Sequence, residues 1–336
     1  VSSWESYLHE LTPVHQVGAL RFKRDDYFAP LGYGGINGAK VRQIIWLVRD
    51  YLEANKGKQV GLLLAGSVKS PQLGRISTVA RYMGIPALLV IGSSPNTAVK
   101  NNENVKIAVG MGARFFKAPA PYNPVLQSTA RKLKAEPQFR DYYLIEYGLS
   151  VDGSTERIES FYRFCAEQVQ SIPEDVETLF IPAGSCNTTI SLLYGISLYR
   201  PKSLKKIVLF GIGPPRVEWF EERLKLLEAH TGKPLASLFA REYPHHPELA
   251  LRYNQSSGAY QLMHYDLHST GFASYDDEMP ERVGDIDLHP TYEGKMWAYM
   301  RQYPQLFQKH LQDGKTLFWI VGSAPKWSTM AKVLNG

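Results

Sequence analysis

The stretch "PLGYGGINGAKVRQIIWLV", Pro30 to Val48, sets a run of glycines and then Lys40 at the mouth of an apolar, helix-like pattern. A surface lysine needs no such approach. A lysine that must meet a cofactor does, because a loop almost free of side chains leaves room beside its amine. Gly34, Gly35 and Gly38 also read as a plain turn before a helix. The loop is not a nucleotide P-loop, which needs Lys directly after Gly and then Ser or Thr; here Ala39 precedes Lys40 and Val41 follows.

A second loop, "AGSCNTTISLLYGI", follows a strand-like run and opens a helical one. Its Gly184, Ser185, Cys186, Asn187, Thr188 and Thr189 offer backbone N–H groups and hydroxyls where a helix begins. Such an end carries unspent donors and the positive pole of the helix dipole, which suits a phosphate. Ordinary N-capping by Asn187 or Thr188 explains the same residues. A third segment, "HPTYEGKMWAYM", places Glu293 between Tyr292 and Gly294 as a loop enters a helix. A carboxylate beside a pyridine nitrogen keeps that ring protonated and electron-accepting, although Glu293 is also a common kind of first-turn acid. A Schiff-base lysine, a phosphate cup and a partner for a ring nitrogen are together what pyridoxal phosphate (PLP) requires. His264 and His268 have the i, i+4 spacing of a helical metal pair, but no glutamate lies between them, and a polar loop is the stronger expectation. No metal is assigned. His245 and His246, between prolines, read as solvated.

These groups need a scaffold. Strand-like apolar runs at 60–65, 87–91, 114–117, 143–146, 178–181, 207–212 and 316–321 alternate with helical patterns at 73–83, 101–111, 155–171, 189–198, 220–230 and 326–334. That rhythm predicts α/β architecture with largely parallel sheets. In such sheets, ligands sit at the carboxyl ends of strands, where the loops 66–73, 184–189 and 322–326 open. The segment 230–281 is less regular. A chain of 336 residues exceeds what one core usually supports, so two domains, or one large unit with a lobe, are expected. The residues are 44% hydrophobic, yet no apolar run reaches membrane-spanning length. The start of the chain shows no signal-peptide pattern, and two cysteines without a CxxC make neither a disulfide framework nor a zinc site. A reducing cytoplasm is the expected compartment. The net charge of +6 favours anionic partners such as phosphorylated cofactors or nucleic acid.

Taken together, these motifs resemble the aminocyclopropane-carboxylate deaminase and D-cysteine desulfhydrase family of fold-type-II PLP enzymes. The family's Gly-Gly-Asn-Lys-x-Arg is matched by Gly34, Gly35, Asn37, Lys40 and Arg42, with two residues inserted between Asn and Lys. Its phosphate loop is matched by "PAGSCNTT", its Tyr-Glu-Gly-Lys by Tyr292 to Lys295, and its late glycine-rich loop by "VGSAPKW". The resemblance spans nearly the whole chain. It implies two open parallel-sheet domains like those of the tryptophan synthase β-subunit, with PLP between them. The larger would hold 1–42 plus 151–336 and the smaller 43–150. Lys40 would form the Schiff base and move the Cα proton of an amino-acid group held as external aldimine. Glu293 would face the ring nitrogen, and Tyr292 and Tyr275 would lie near substrate. Asn37, Ser70, Gln72 and residues 184–189 would complete the cofactor shell. A homodimer is implied as well.

The chain also departs from that pattern. Where the family reads Gln-Ser-Asn before the "VARYMG" helix, this sequence reads "SVKSPQLGR": Ser70 keeps its place, Pro71 replaces the asparagine and Gln72 follows. Proline has no N–H to donate. Gln43 stands where the family places a lysine near the phosphate. These changes point away from the parent deaminase activity. The chain also resembles fold-type-II enzymes of bacteriophages that hypermodify thymine in DNA. That likeness implies an isomerase or lyase acting on glycine-modified thymidine, in the host cytoplasm. The other expectation is a deaminase or desulfhydrase of a free small amino acid. A non-catalytic binding module is disfavoured by the presence of Lys40. The positive charge, six tryptophans and twenty tyrosines are compatible with a DNA-sized substrate whose base leaves the stack.

Overall fold

The protein is described by a computed structural model covering residues 6–32, 34–253 and 257–335. It is an α/β protein with two compact units, one formed by Val1–Phe28 and Asp152–Ser323, the other by Ala29–Val151 and Ala324–Gly336. Among the described residues, no helix is long and apolar enough to cross a membrane.

The first unit is built on a seven-stranded sheet. In spatial order its strands are Val14–Val17, Leu20–Arg24, Thr316–Ile320, Thr178–Ala183, Lys206–Gly211, Tyr260–Asp266 and Phe239–Glu242. Only the hairpin of the first two is antiparallel; every other neighbour pair is parallel. Strands covered on both faces must be apolar throughout, and Thr178–Ala183 and Thr316–Ile320 are buried at every position. One face is packed with aromatic rings. Phe180 meets Phe210 and Phe318 at centroid distances of 5.5 and 5.3 Å, both near edge-to-face. Each such ring contributes about 2–3 kcal/mol through burial, and edge-to-face pairing adds about 1 kcal/mol.

The second unit is a four-stranded, wholly parallel sheet in the order Arg114–Lys117, Ala87–Ile91, Gly61–Ala65, Tyr142–Ile145. Its helices Ala39–Ala54, Pro71–Tyr82 and Asn123–Ala135 bury Ile44, Leu47, Leu73, Ile76, Leu126 and Leu133.

The unit boundaries differ from those the sequence suggested. There is no break at 42, because Ala39–Ala54 is one continuous helix and carries the glycine loop with it. The C-terminal segment also belongs with the second unit. A Cβ on Gly35 would lie 2.4 Å from Pro325 Cα, and one on Gly110 would lie 2.3 Å from the Trp327 ring. Three local expectations change too. The 101–111 pattern is split into helices Pro95–Asn101 and Glu103–Gly110. The 155–171 helix ends at Glu167 in a 3-10 turn, where Gln168 spends its amide on Glu10 O and the Thr12 N–H. The "less regular" middle contains Tyr260–Asp266, a strand paired on both sides within the large sheet.

Candidate active site

In the second unit, Gly38 precedes the helix with φ +86°, a left-handed conformation that glycine adopts without strain. Lys40 is therefore the second residue of a rigid helix. Its Nζ donates to Gly148 O at 3.0 Å, and Gly148 itself has φ +73°. Asn37, just before, is buried. One turn after Lys40, Gln43 is 1% exposed, and neither its amide nitrogen nor its oxygen has a hydrogen-bond partner among the described residues. Two unmet polar atoms in a buried position cost about 1–3 kcal/mol each, so they mark a place built for a polar group.

In the same unit, Ser70 caps the helix Pro71–Tyr82 and accepts the Gln72 N–H at a long 3.4 Å. Pro71 occupies the first helical position, which suits its fixed φ but gives this helix start one donor fewer. Ser70 and Gln72 are half-buried.

In the first unit, the strand Thr178–Ala183 ends in Gly184–Cys186 and passes into the helix Asn187–Tyr199. Cys186 makes the bend in left-handed geometry, with φ +66°, and no side chain caps the helix. Its first N–H groups and dipole therefore serve the loop itself. Thr188 and Thr189 are buried in that first turn. Asn187 is used differently from the sequence expectation: its side-chain oxygen accepts the buried Tyr162 hydroxyl at 3.0 Å and does not cap the helix. Burial pushes the Tyr162 phenol up to about 12, so it stays a donor.

The same unit brings this loop to the third motif. A Cβ on Gly184 would lie 3.0 Å from the Tyr292 ring, so glycine is what lets the two meet. The hydroxyls of Tyr292 and Tyr275 lie 3.4 Å apart. Glu293 is fully buried at the start of the helix Glu293–Gln302, and its Oε1 accepts the Val321 N–H at 2.7 Å. Lys295, 1% exposed, donates to Ser274 O at 2.6 Å and Tyr275 O at 3.0 Å, fixing the loop that carries Tyr275. The sequence reading gave Lys295 no task, although its place in Tyr-Glu-Gly-Lys was the available signal.

The histidine expectations are overturned. His264 lies on the strand Tyr260–Asp266 and His268 in the turn after it, so they share neither a helix nor a solvated loop. His246 is buried, and its Nε2 lies 2.7 Å from Asp266 Oδ2. His245 is half-buried and accepts the Asp266 N–H. The cause is the sheet: with Tyr260–Asp266 in its interior, the "YPHHPE" loop lies against that strand's carboxyl end. Burial alone would raise the Asp266 carboxyl, but the Ser269 N–H and hydroxyl and His246 hold it below the usual range. Among the described residues, no group of three or more His, Cys, Asp or Glu side chains is placed to hold a metal ion.

An amine on a helix start, an uncapped helix end beside a glycine loop, a buried carboxylate and a buried amide without partners are a donor set that fits PLP. Comparison with known proteins agrees. No family model matches the chain. It is 35% identical to the O-seryl-dTMP PLP-dependent decarboxylase of Salmonella phage ViI, an alignment covering 96% of this chain and 84% of that protein. The chain belongs to the family of that phage enzyme, within the fold-type-II PLP enzymes. Its fold is shared with the crystal structure of an ACC deaminase homologue, at TM-score 0.69, 20% identity and coverage of 98% of this chain and 94% of the other. It is also shared with the O-acetylserine dependent cystathionine beta-synthase of Helicobacter pylori, at TM-score 0.54, 12% identity and coverage of 96% and 95%. This family member is thus a PLP enzyme.

Proposed function

We propose that the chain is a PLP-dependent lyase that acts at the Cα of an amino acid carried on a thymidine nucleotide and releases its carboxylate as CO2. The observation that carries this reading is the 35% identity, over 96% of the chain, to a protein named as an O-seryl-dTMP decarboxylase. The bond broken is that between Cα and the carboxylate carbon; its electron pair stays on Cα, which then takes one proton.

When bound, PLP supplies the electron-accepting ring for that pair. In this reading the Lys40 amine would hold the cofactor and would move the proton at Cα. Residues 184–189 would bind the phosphate, with the uncapped helix start and the Thr188 and Thr189 hydroxyls as donors; Gln43 and Asn37 would offer side-chain amides to the cofactor. Glu293 would keep a proton on the ring nitrogen. Tyr292 and Tyr275, with hydroxyls 3.4 Å apart, share a proton on the substrate side. Ser70 accepts the Gln72 N–H and so has its own O–H left to orient a carboxylate. Pro71 supports decarboxylation in particular. A helix start that lacks one N–H stabilises a carboxylate less, so losing that carboxylate costs less. We take the active species to be a homodimer, which light scattering of the purified protein tests.

The isomerase reading uses the same residues but breaks the Cα–H bond. Holoenzyme incubated with seryl- and glycyl-bearing thymidine nucleotides, labelled in the carboxyl carbon, separates the outcomes by mass spectrometry. Labelled CO2 and a product lighter by that unit are expected. A product of unchanged mass with altered fragmentation means isomerisation. Reaction confined to free amino acids, with release of ammonia and a keto acid, means the deaminase class.

A further inference from the structure

The two units differ in charge. Residues 29–151 and 324–336 carry 18 Lys and Arg against 6 Asp and Glu, a net charge of +12, whereas residues 1–28 and 152–323 carry 20 against 26. Within the basic unit, 111–135 holds Arg114, Lys117, Arg131, Lys132 and Lys134 and not one Asp or Glu. These residues form the edge strand Arg114–Lys117, a loop and the helix Asn123–Ala135. Little neutralises them. Arg114 donates to the uncharged Tyr142 hydroxyl at 3.0 Å, and Arg131 meets Glu146 at 3.5 Å with both side chains exposed. Such an exposed pair contributes little. Lys132 is exposed and makes no ion pair among the described residues.

Two aromatic rings stand among these cations. Tyr122 is 71% exposed and Phe116 is 41% exposed. Phe116 and Arg114 pair with Val90 and Leu88, which pack against Leu126, Ala130 and Leu133, so both lie on the side of the sheet that carries the helix. Tyr122 is held stiffly. The loop before it reads Ala-Pro-Ala-Pro, and its carbonyl accepts the Val125 and Leu126 N–H groups at 2.9 and 3.0 Å. The loop is also seated on bare backbone: a Cβ on Gly92 would lie 2.2 Å from Pro121 Cα. A ring presented this way loses little freedom when a flat group stacks on it.

The same unit relates this surface to Lys40. Its four strands are parallel, so the loops after them open on one rim. At one edge Tyr142–Ile145 leads to Gly148, whose carbonyl holds Lys40 Nζ; at the other, Arg114–Lys117 leads to Tyr122. Three strand spacings separate the edges, about 14 Å. Gln127 donates to Ala65 O at 3.1 Å and so ties the helix to the strand that leads to Ser70. Arg131 follows Tyr122 by nine helical steps, again about 14 Å. Cations and rings spread over that length suit a polyanion whose bases can stack, rather than one small anion. A second copy of this chain docked about a two-fold axis would set like charges together.

We propose that this face of the second unit binds a single strand of DNA, with phosphates on Arg114, Arg131 and Lys132 and bases stacked on Tyr122 and Phe116. The substrate thymidine then reaches Lys40 as a residue of that strand. The choice of DNA rests on the thymidine reading above.

The test is fluorescence anisotropy of a short labelled single-stranded DNA containing thymidine, titrated with holoenzyme over a range of salt. Wild-type affinity should fall with salt by about 0.7 log units per log unit for each phosphate held. Arg131→Ala with Lys132→Ala should weaken binding about tenfold or more at low salt and flatten that slope by about 1.4. Tyr122→Ala, which removes no charge, should weaken binding about fivefold or more and leave the slope unchanged. Lys202→Ala, an exposed cation of the first unit, should bind as the wild type does. The visible cofactor band and the thermal midpoint report whether each variant is folded. If the Arg131/Lys132 and Tyr122 variants bind with wild-type affinity and slope while seryl-bearing thymidine is still turned over, the surface assignment is overturned and the thymidine reading stands. Conversion of a dimer to monomers by either variant, seen in light scattering, makes the face a subunit interface and overturns it too. Tighter binding of RNA of the same sequence overturns the choice of DNA. Turnover of free amino acids alone overturns the thymidine reading and, with it, DNA as the occupant.

Discussion

Lys40 and Glu293 reach their positions by different means, and their removal should differ accordingly. Lys40 is carried by a helix whose glycine approach is fixed by the backbone, so Lys40→Ala should leave the fold intact while abolishing both the visible cofactor band and turnover. Retention of either would move the Schiff base to another lysine. Glu293→Gln keeps an oxygen for the Val321 N–H and removes only the charge. Cofactor should stay bound while turnover falls about 10²-fold or more, as expected for loss of a group that holds a proton in place; unaltered turnover would take Glu293 out of the mechanism. His264 bears on stability. Burial pushes its imidazole down from 6.5 to about 4, with Asp266 opposing and His246 and His245 adding to the fall. The folded state therefore favours the neutral ring and the unfolded chain takes the proton first. The stability this group contributes is complete above pH 6.5 and is lost as pH falls towards 4. The loss amounts to about 3 kcal/mol. Denaturant unfolding of His264→Phe, which cannot titrate, should show a flatter decline across that window than wild type. Asp266, with its lowered carboxyl, loses its contribution only at lower pH still.

At the scale of elements, the site depends on places where two backbones touch. Gly35 combines φ +78° with a Cβ position 2.4 Å from Pro325 Cα and 2.9 Å from Ala324 O. Gly35→Ala therefore meets both backbone strain and a clash with main chain that cannot rotate away. It should cost about 2 kcal/mol or more in denaturant unfolding and lower cofactor retention, because the same loop positions Lys40. Equal stability would mean that this loop is free to shift. The loop 184–189, proposed above to bind phosphate, works by a related economy. A left-handed Cys186 makes a sharp exit from the strand, and an apolar helix buried along most of its length fixes the direction of its first N–H groups.

Across the whole molecule, the chain ends by returning to the unit that contains Lys40. Trp327 donates its N–H to Glu103 at 2.7 Å and lays its ring on Gly110, while Pro325 and Thr329 lie against the glycine loop. Deleting 324–336 should therefore lower the thermal midpoint and open residues 29–151 to proteolysis before residues 152–323. Equal cleavage in the two segments would show that the C-terminal segment is not needed. The deletion probes a long-range closure that no local pattern announces.

By itself, the sequence determined whatever depends on short range. Apolar runs such as Ala87–Ile91, bounded by turn residues, marked buried strands. The glycine–lysine loop, the Gly/Ser/Thr turn and Tyr292–Glu293 each also read as an ordinary local feature, yet together they suggested the cofactor that the comparisons support. The tertiary structure decided what depends on residues far apart in the chain. It placed Tyr260–Asp266 inside the large sheet, which turned histidines that read as solvated into partners of Asp266, with His246 buried and His245 half-buried. It set Lys295 to hold the Tyr275 loop, brought Tyr292 onto Gly184 and joined the last residues to the unit of Lys40. A single strand carries no record of its neighbours in a sheet, because pairing and close contact are settled by the competition of all segments for burial at once.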